Sequence, residues 1–187
     1  MGWHWGILAS SGGGAAGAYE LISTTVLTTT AASVTFSSIP STYKHLQIRT
    51  VTRTNFSDNF VMDMTGKINN DSNANYSQHF LNGNGTSVTS GANTNLTYLY
   101  LQSASPAANT TANSFGCMVM ELLDYSSTSK NKTIRAMIGA ANPGSTYSGV
   151  RLISNLWMST AAVTSVQLNG GGSFIAGSRF SLYGIKG

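Results

Sequence analysis

Cysteine occurs once in these 187 residues, proline three times, and glutamate only at Glu20 and Glu121. A lone Cys117 excludes an intramolecular disulfide, and with it the stapled class of small secreted domains. Charged residues make up 9% of the chain, against about 25% in an ordinary soluble domain. That shortage excludes a coiled coil, a helical bundle and the charge-rich kind of disordered tail, all of which depend on Lys, Glu and Arg. No run approaches the length of apolar sequence that a membrane-crossing helix needs, so no membrane is expected as a partner. The start has no basic segment, and its apolar run from Trp5 to Ala9 is short and broken by Gly6. Secretion through a signal peptide is therefore not expected.

Small neutral polar residues stand where charge is missing: 26 Ser, 22 Thr, 16 Asn and 20 Gly, 84 residues together. Such residues compete with the helical backbone and favour turns and short strands. The net charge is +4, yet the basic residues are scattered from Lys44, Arg49 and Arg53 to Arg179 and Lys186. The nearest grouping, Lys130, Lys132 and Arg135, lies beside Asp124. Nucleic-acid binders concentrate positive charge because affinity grows with each phosphate neutralised. Nucleic acid is not an expected partner.

Two kinds of segment follow one another. Residues 1–18 read as an arm, with an apolar tip (Trp3, Trp5, Ile7, Leu8) on a stem of Ser, Gly and Ala. Such a stem gives reach, and the two Trp are costly to leave in water. The tip either docks to a neighbouring protein or folds back on its own domain. Residues 19–187 alternate with period two. Strands are expected over 19–27, 33–36, 44–53 and 76–81, and again over 96–101, 115–123, 133–138, 150–157, 163–168 and 180–185. Another is expected around Phe60, Met62 and Met64, with those three on one face and Asp63 on the other. Residues 96–101 read as one central strand and 102–113 as a loop, while 159–162 allow a single helical turn. Asn69-Asn-Asp71 and Asn82-Gly-Asn-Gly85 are turns. About ten short strands imply an all-β, antiparallel β-sandwich, jelly-roll-like, behind an N-terminal Gly-rich arm.

Chemistry is sparse. His4, His45 and His79 show no metal-ligand spacing, and one Cys adds little, so no metal or cofactor is expected. Asp58, Asp63, Asn69, Asn70 and Asp71 offer hard oxygens in the form of a Ca²⁺ site, but Asn-Asn-Asp is equally what a tight turn prefers. Glu121 and Asp124, three apart on a strand, point to opposite faces rather than converging on a substrate. No nucleophile elbow or phosphate loop is present, so no catalytic residue is assigned and a non-enzymatic role is expected. Tyr76, Tyr98, Tyr100 and Tyr147 are the residues named for glycan contact, since aromatic platforms with nearby Asn and Asp suit sugars. The competing reading is that these rings fill the core and subunit contacts.

Tyr19-Glu-Leu-Ile-Ser23, Val34-Thr-Phe-Ser-Ser-Ile-Pro40 with Tyr43-Lys-His-Leu-Gln-Ile-Arg49, Leu122-Leu-Asp-Tyr125 with Asn131-Lys-Thr133, and the ending Phe180-Ser-Leu-Tyr-Gly-Ile-Lys186 span most of the chain. Together these segments resemble a family of small β-rich structural proteins of tailed bacteriophages. The resemblance implies a virion protein with a sandwich or jelly-roll fold, on the tail or another exposed part of the particle. It covers least of residues 54–112, and none of its motifs is catalytic. The expected function is a tail-associated fibre, spike or adaptor component docked by its arm to other virion proteins. A head decoration protein and a glycan-binding host-recognition module are the alternatives, and a homo-oligomer is expected.

Overall fold

A computed structural model describes residues 17–57, 61–141 and 148–187. Arm residues Trp3, Trp5, Ile7 and Leu8, and also Asp58, Phe60 and Tyr147, lie outside them. The alternation seen in the sequence becomes twelve strands, with no helix among the described residues. They are β1 (Tyr19–Val26), β2 (Ala31–Phe36), β3 (His45–Thr52), β4 (Val61–Ile68), β5 (Tyr76–Gly83), β6 (Val88–Leu96), β7 (Leu99–Pro106), β8 (Gly116–Leu122), β9 (Lys132–Ala140), β10 (Gly149–Trp157), β11 (Val166–Phe174) and β12 (Arg179–Ile185). Every pairing is antiparallel. Eight strands form one sheet in the order β1-β12-β3-β8-β9-β10-β5-β6, and four form a second in the order β2-β11-β4-β7. The all-β sandwich is as the sequence implies.

Eight of the strands pair in a nested way: β1 with β12 and β3 with β8 in the large sheet, β2 with β11 and β4 with β7 in the small one. Hairpins β5–β6 and β9–β10 are additions to that frame, and both extend the large sheet beyond β8. The inner faces close over one core. Leu46 and Ile48, Met118 and Met120, Ile134 and Ile138, Ile153, Phe180 and Leu182 meet Phe36, Met64, Ile68, Leu101, Leu168 and Phe174 from the small sheet. Truncating one such side chain to Ala costs about 2–5 kcal/mol.

Polar side chains fasten the added hairpins to β7. Gln78 Nε2 and Asn155 Nδ2 both donate to the Tyr100 carbonyl, at 2.8 and 3.3 Å, and Asn93 Nδ2 donates to Gln78 Oε1 at 2.8 Å. Arg53, also buried, donates to the carbonyls of Ala108, Thr110, Thr111 and Ser114 and so shapes the loop after β7. Gly184, inside the C-terminal motif, has a packing reason: a Cβ there would lie 2.2–2.4 Å from three ring atoms of Tyr43.

Four expectations need correction. Residues 96–101 are not one central strand: β6 ends at Leu96 and β7 begins at Leu99, in different sheets, and Asn95 turns the corner at φ 57°. β6 itself escapes the pattern search because it is an edge strand with the polar sequence VTSGANTNL, facing solvent along most of its length. The stretch expected as loop 102–113 supplies the second half of β7. Met62 and Met64 are not equally buried: Met64 is in the core while Met62 and Asp63 are half-buried, and the pairing is irregular there, with two steps along β4 set against four along β7. No helical turn forms at 159–162, where the carbonyls of Thr160 and Ala162 accept from Lys132 Nζ and Asn69 Nδ2 instead.

The turn at Asn69-Asn-Asp71 is as expected, with both Asn at positive φ (51° and 56°). Asn69 Oδ1 accepts from the backbone N–H of Thr164 and Ser165, tying the turn to the β10–β11 connection. Asp71 accepts from Trp157 Nε1 at 2.8 Å, from Asn75 Nδ2, and from the Asn73 backbone and side chain. Burial pushes its carboxyl up, but the bonds from Asn75, Trp157 and Asn73 outweigh that and hold it below the usual carboxylate range. A carboxyl shifted this way stabilises the fold fully above its unfolded pKa of about 4 and loses that contribution as pH falls through the lower, folded value. Asp71→Ala strands the Trp157 indole N–H and is expected to cost about 2–3 kcal/mol. Urea unfolding at pH 7 and at pH 3 checks this: the gap between wild type and variant narrows in acid.

Candidate functional surface

Alternation within each strand of the large sheet gives a buried inner face and an outer face, and the register aligns the outer residues into rungs that cross the sheet. The first rung is polar: Tyr183, Gln47, Glu121, Arg135, Ser154 and His79, from β12 to β5. Arg135 forms an ion pair with Glu121, its Nε donating to Oε2 at 3.1 Å. Gln47 Nε2 donates to the other carboxylate oxygen at 3.2 Å, and Arg49 Nε donates to Gln47 Oε1 at 2.7 Å. The Arg49 guanidinium lies over the rings of Tyr183 and Tyr19, at 4.9 and 5.5 Å from their centroids. The Arg135 hydrogen bond is the main reason that the Glu121 carboxyl lies below its ordinary range.

The next two rungs are apolar. The second runs Arg49, Val119, Met137, Leu152, Leu81 and Ser90. The third runs Val51, Cys117, Gly139, Val150, Gly83 and Val88. Val51, Leu81, Val88, Met137, Val150 and Leu152 are each between 45% and 72% exposed, and they come from five adjacent or nearly adjacent strands. Scattered apolar side chains are normal on a protein surface, but these stand side by side on neighbouring strands. Shallow depressions interrupt it, one of about 290 Å³ between Val119, Glu121, Arg135, Met137 and Leu152. Most of the band sits on the two hairpins added to the nested frame, on β9, β10, β5 and β6.

Of the residues named for glycan contact, Tyr76 belongs to the core, and Tyr98 and Tyr100 lie together. Tyr76 has no exposed surface: its ring stacks on Trp157, its hydroxyl accepts from the Ile68 N–H at 3.1 Å, and burial pushes the phenol up to about 12. It is a core residue and offers no face to a sugar. Tyr98 and Tyr100 are half-buried, edge to face at 5.9 Å. The Tyr100 hydroxyl donates to Asp63 Oδ2 at 2.6 Å, and burial and then this bond push its phenol far above the ordinary value. Tyr147 lies outside the described residues.

Of the residues that suggested Ca²⁺, Asn69, Asp71 and Asp63 are engaged in structural hydrogen bonds. Asp71 and Asn69 fasten turns and Asp63 holds Tyr100, while Asp58 is outside the described residues. Among the described residues no group of three or more His, Cys, Asp or Glu is placed to hold a metal ion. His45 Nδ1 accepts from the Asp124 backbone N–H at 3.0 Å, and the Asp124 carboxylate pairs with Lys130 and Lys44. His79 stands exposed on the first rung.

Sequence reasoning missed the apolar band because each strand contributes only one or two exposed apolar residues, and in period-two patterns these read as ordinary strand content. The available signal is apolar residues on both parities, as in Val150-Arg-Leu-Ile-Ser154 and Thr133-Ile-Arg-Ala-Met-Ile138. Comparison with protein-family models, with curated proteins and with solved structures returns no match.

Arg135 is largely exposed, so its ion pair with Glu121 contributes little. Glu121→Gln is expected to lower stability by about 0.5–1 kcal/mol in low salt and by less at high salt. Thermal melts at two ionic strengths check this. The loss shrinks as pH falls towards the carboxyl's folded pKa, since the wild-type pair is itself neutralised there.

Proposed function

We propose that this chain is a non-enzymatic structural protein of a tailed-phage virion, a tail-associated fibre, spike or adaptor component that works by packing against its neighbours. The observation that carries the packing role is the band of exposed apolar side chains across the outer face of the eight-stranded sheet. Burial of such a band against another protein is favourable at about 25 cal/mol per Å², and the scarcity of charge lowers the desolvation cost of close packing. The virion setting is supported by the resemblance of the four quoted segments, which lie on β1, on β2 and β3, around the β8–β9 connection, and on β12. The nested pairing of β1 with β12, β2 with β11, β3 with β8 and β4 with β7 supports a jelly-roll-like reading of the sandwich. The arm residues Trp3, Trp5, Ile7 and Leu8 are proposed as a second docking element, to another virion protein.

Quantitative mass spectrometry of purified particles against the major capsid protein tests this. A stoichiometry of a few to a few dozen copies is the expected result. Hundreds of copies would replace the tail assignment with head decoration, and absence from the particle would overturn the virion reading.

A further inference from the structure

A free sheet edge is a row of unpaired N–H and C=O groups ready to take another strand, and proteins blunt such edges with charge, proline, bulges or short strands. Three of the four sheet edges here carry one of these devices. β1 holds Glu20, ion-paired to Lys186, and shifts register between Leu21 and Ser23. β2 is the shortest strand, and its pairing with β11 is interrupted between Asn169 and Phe174. β7 ends in Pro106, and its Tyr100 carbonyl is taken by the Gln78 and Asn155 amides.

The fourth edge, β6, has none of them over residues 88–93. Its register with β5 runs from Val88 to Asn93 without a shift. It contains no proline, and no Asp, Glu, Lys or Arg occurs anywhere between Asp71 and Glu121. Among the described residues no strand other than β5 pairs with it.

The turn before β6 sets which of its groups are free. Asn84 N–H donates to the Ser87 carbonyl at 3.2 Å, so these two form a hydrogen-bonded pair. Bonded and non-bonded pairs alternate along an antiparallel ladder. The bonded pairs beyond the turn are therefore Asn82 with Thr89, Phe80 with Gly91, and Gln78 with Asn93. Val88, Ser90 and Ala92 lie between them and turn their N–H and C=O groups away from β5. Their side chains lie on the outer face, in the rungs of Gly83, Leu81 and His79, and Val88 is 72% exposed.

We propose that β6 pairs antiparallel with β6 of a second copy of this chain, across a two-fold axis normal to the sheet at Ser90. An antiparallel edge is its own complement under such an axis. In this register Ser90 opposes Ser90, and Val88 of each copy opposes Ala92 of the other. Each pair exchanges both backbone bonds, so every outward group of these three residues is used. The side chains match too, with valine against alanine, serine against serine, and Thr89 against Gly91. Neutrality is what self-pairing requires, because a charge near the axis would face its own like charge. The contact uses the strand edge rather than the apolar band, and it stands or falls apart from the virion reading. With the axis normal to the sheet, the outer faces of both copies point the same way and their bands join.

Cysteine variants of the full-length chain in a Cys117→Ser background read the register. Opposed Cα atoms of a bonded pair are about 5.5 Å apart, within the range of about 4.4–6.8 Å that a disulfide spans. Ser90→Cys is therefore expected to cross-link into a dimer under mild oxidation. Val88→Cys alone is not, since its two copies stand about 14 Å apart, but Val88→Cys combined with Ala92→Cys is. Size exclusion with light scattering should show a concentration-dependent dimer of the unmodified chain. In it, NMR amide exchange at Val88, Ser90 and Ala92 slows and recovers on dilution. Ser90→Pro removes the central donor at a place where a solvent-facing edge tolerates proline. It should lower dimer affinity at least ten-fold with circular dichroism unchanged, whereas Met137→Glu on the outer face leaves the dimer intact. A dimer that survives Ser90→Pro, or that Met137→Glu abolishes, overturns the proposal, as does Val88→Cys cross-linking as readily as Ser90→Cys. A wild-type monomer also overturns it: fast exchange at the three amides then leaves the edge to a different protein, and slow exchange assigns its cover to the same chain.

Discussion

Leu182, Ile48, Met120, Ala136, Ile153 and Phe80 share one inward rung of the eight-stranded sheet, and backbone ladders hold each strand at that setting against both neighbours. Every other feature depends on this register. A slip of one residue anywhere would exchange faces, putting Met137 or Leu152 inside and Ala136 or Ile153 in water. Because the inner face is packed against the small sheet, such a slip would cost several core side chains at once. The same constraint that fixes the core therefore fixes which apolar residues are left outside, and in what order.

With few charges to spend, the chain uses amides, hydroxyls and backbone carbonyls to close its corners. Asn69 and Asp71 join the β4–β5 turn to β10 and to the segment that leads into β11. Asn84 Oδ1 accepts from the N–H groups of Thr86 and Ser87 and shapes the β5–β6 turn, where Gly85 takes φ 90°. Two of the buried cations, Arg53 and Lys132, are satisfied by carbonyls rather than carboxylates, whereas buried Arg151 lies in the field of the Asp63 carboxylate. Arg53 donates to four carbonyls, and Lys132, fully buried, donates to those of Lys130 and Thr160 while desolvation pulls its pKa down. Polar atoms used this way brace the corners of the scaffold.

The two added hairpins connect fold to function in this reading. They widen the large sheet beyond the nested frame, are pinned to β7 through Gln78 and Asn155, and bring most of the apolar band with them. A surface on paired strands is stiffer than one on loops, which suits the packing role proposed for it.

Much of the fold was legible in the chain itself. Period-two runs such as His-Leu-Gln-Ile-Arg from His45 mark strands because side chains alternate across a pleat, and Asn-Gly and Asn-Asn-Asp mark turns because those residues accept positive φ. β6 was not legible, since an edge strand with one partner and little to bury needs no apolar alternation. The break between Leu96 and Leu99 was not legible either, because an apolar run looks the same whether it continues in one sheet or crosses to the other. Composition determined that the protein would be β-rich and poor in charge. Tertiary structure alone decided that Tyr76 is core and that the outward residues of β3, β8, β9, β10, β5 and β6 form one continuous band. Sequence spacing sets which face a side chain takes within its own strand, whereas neighbours across a sheet are set by register between strands far apart in the chain.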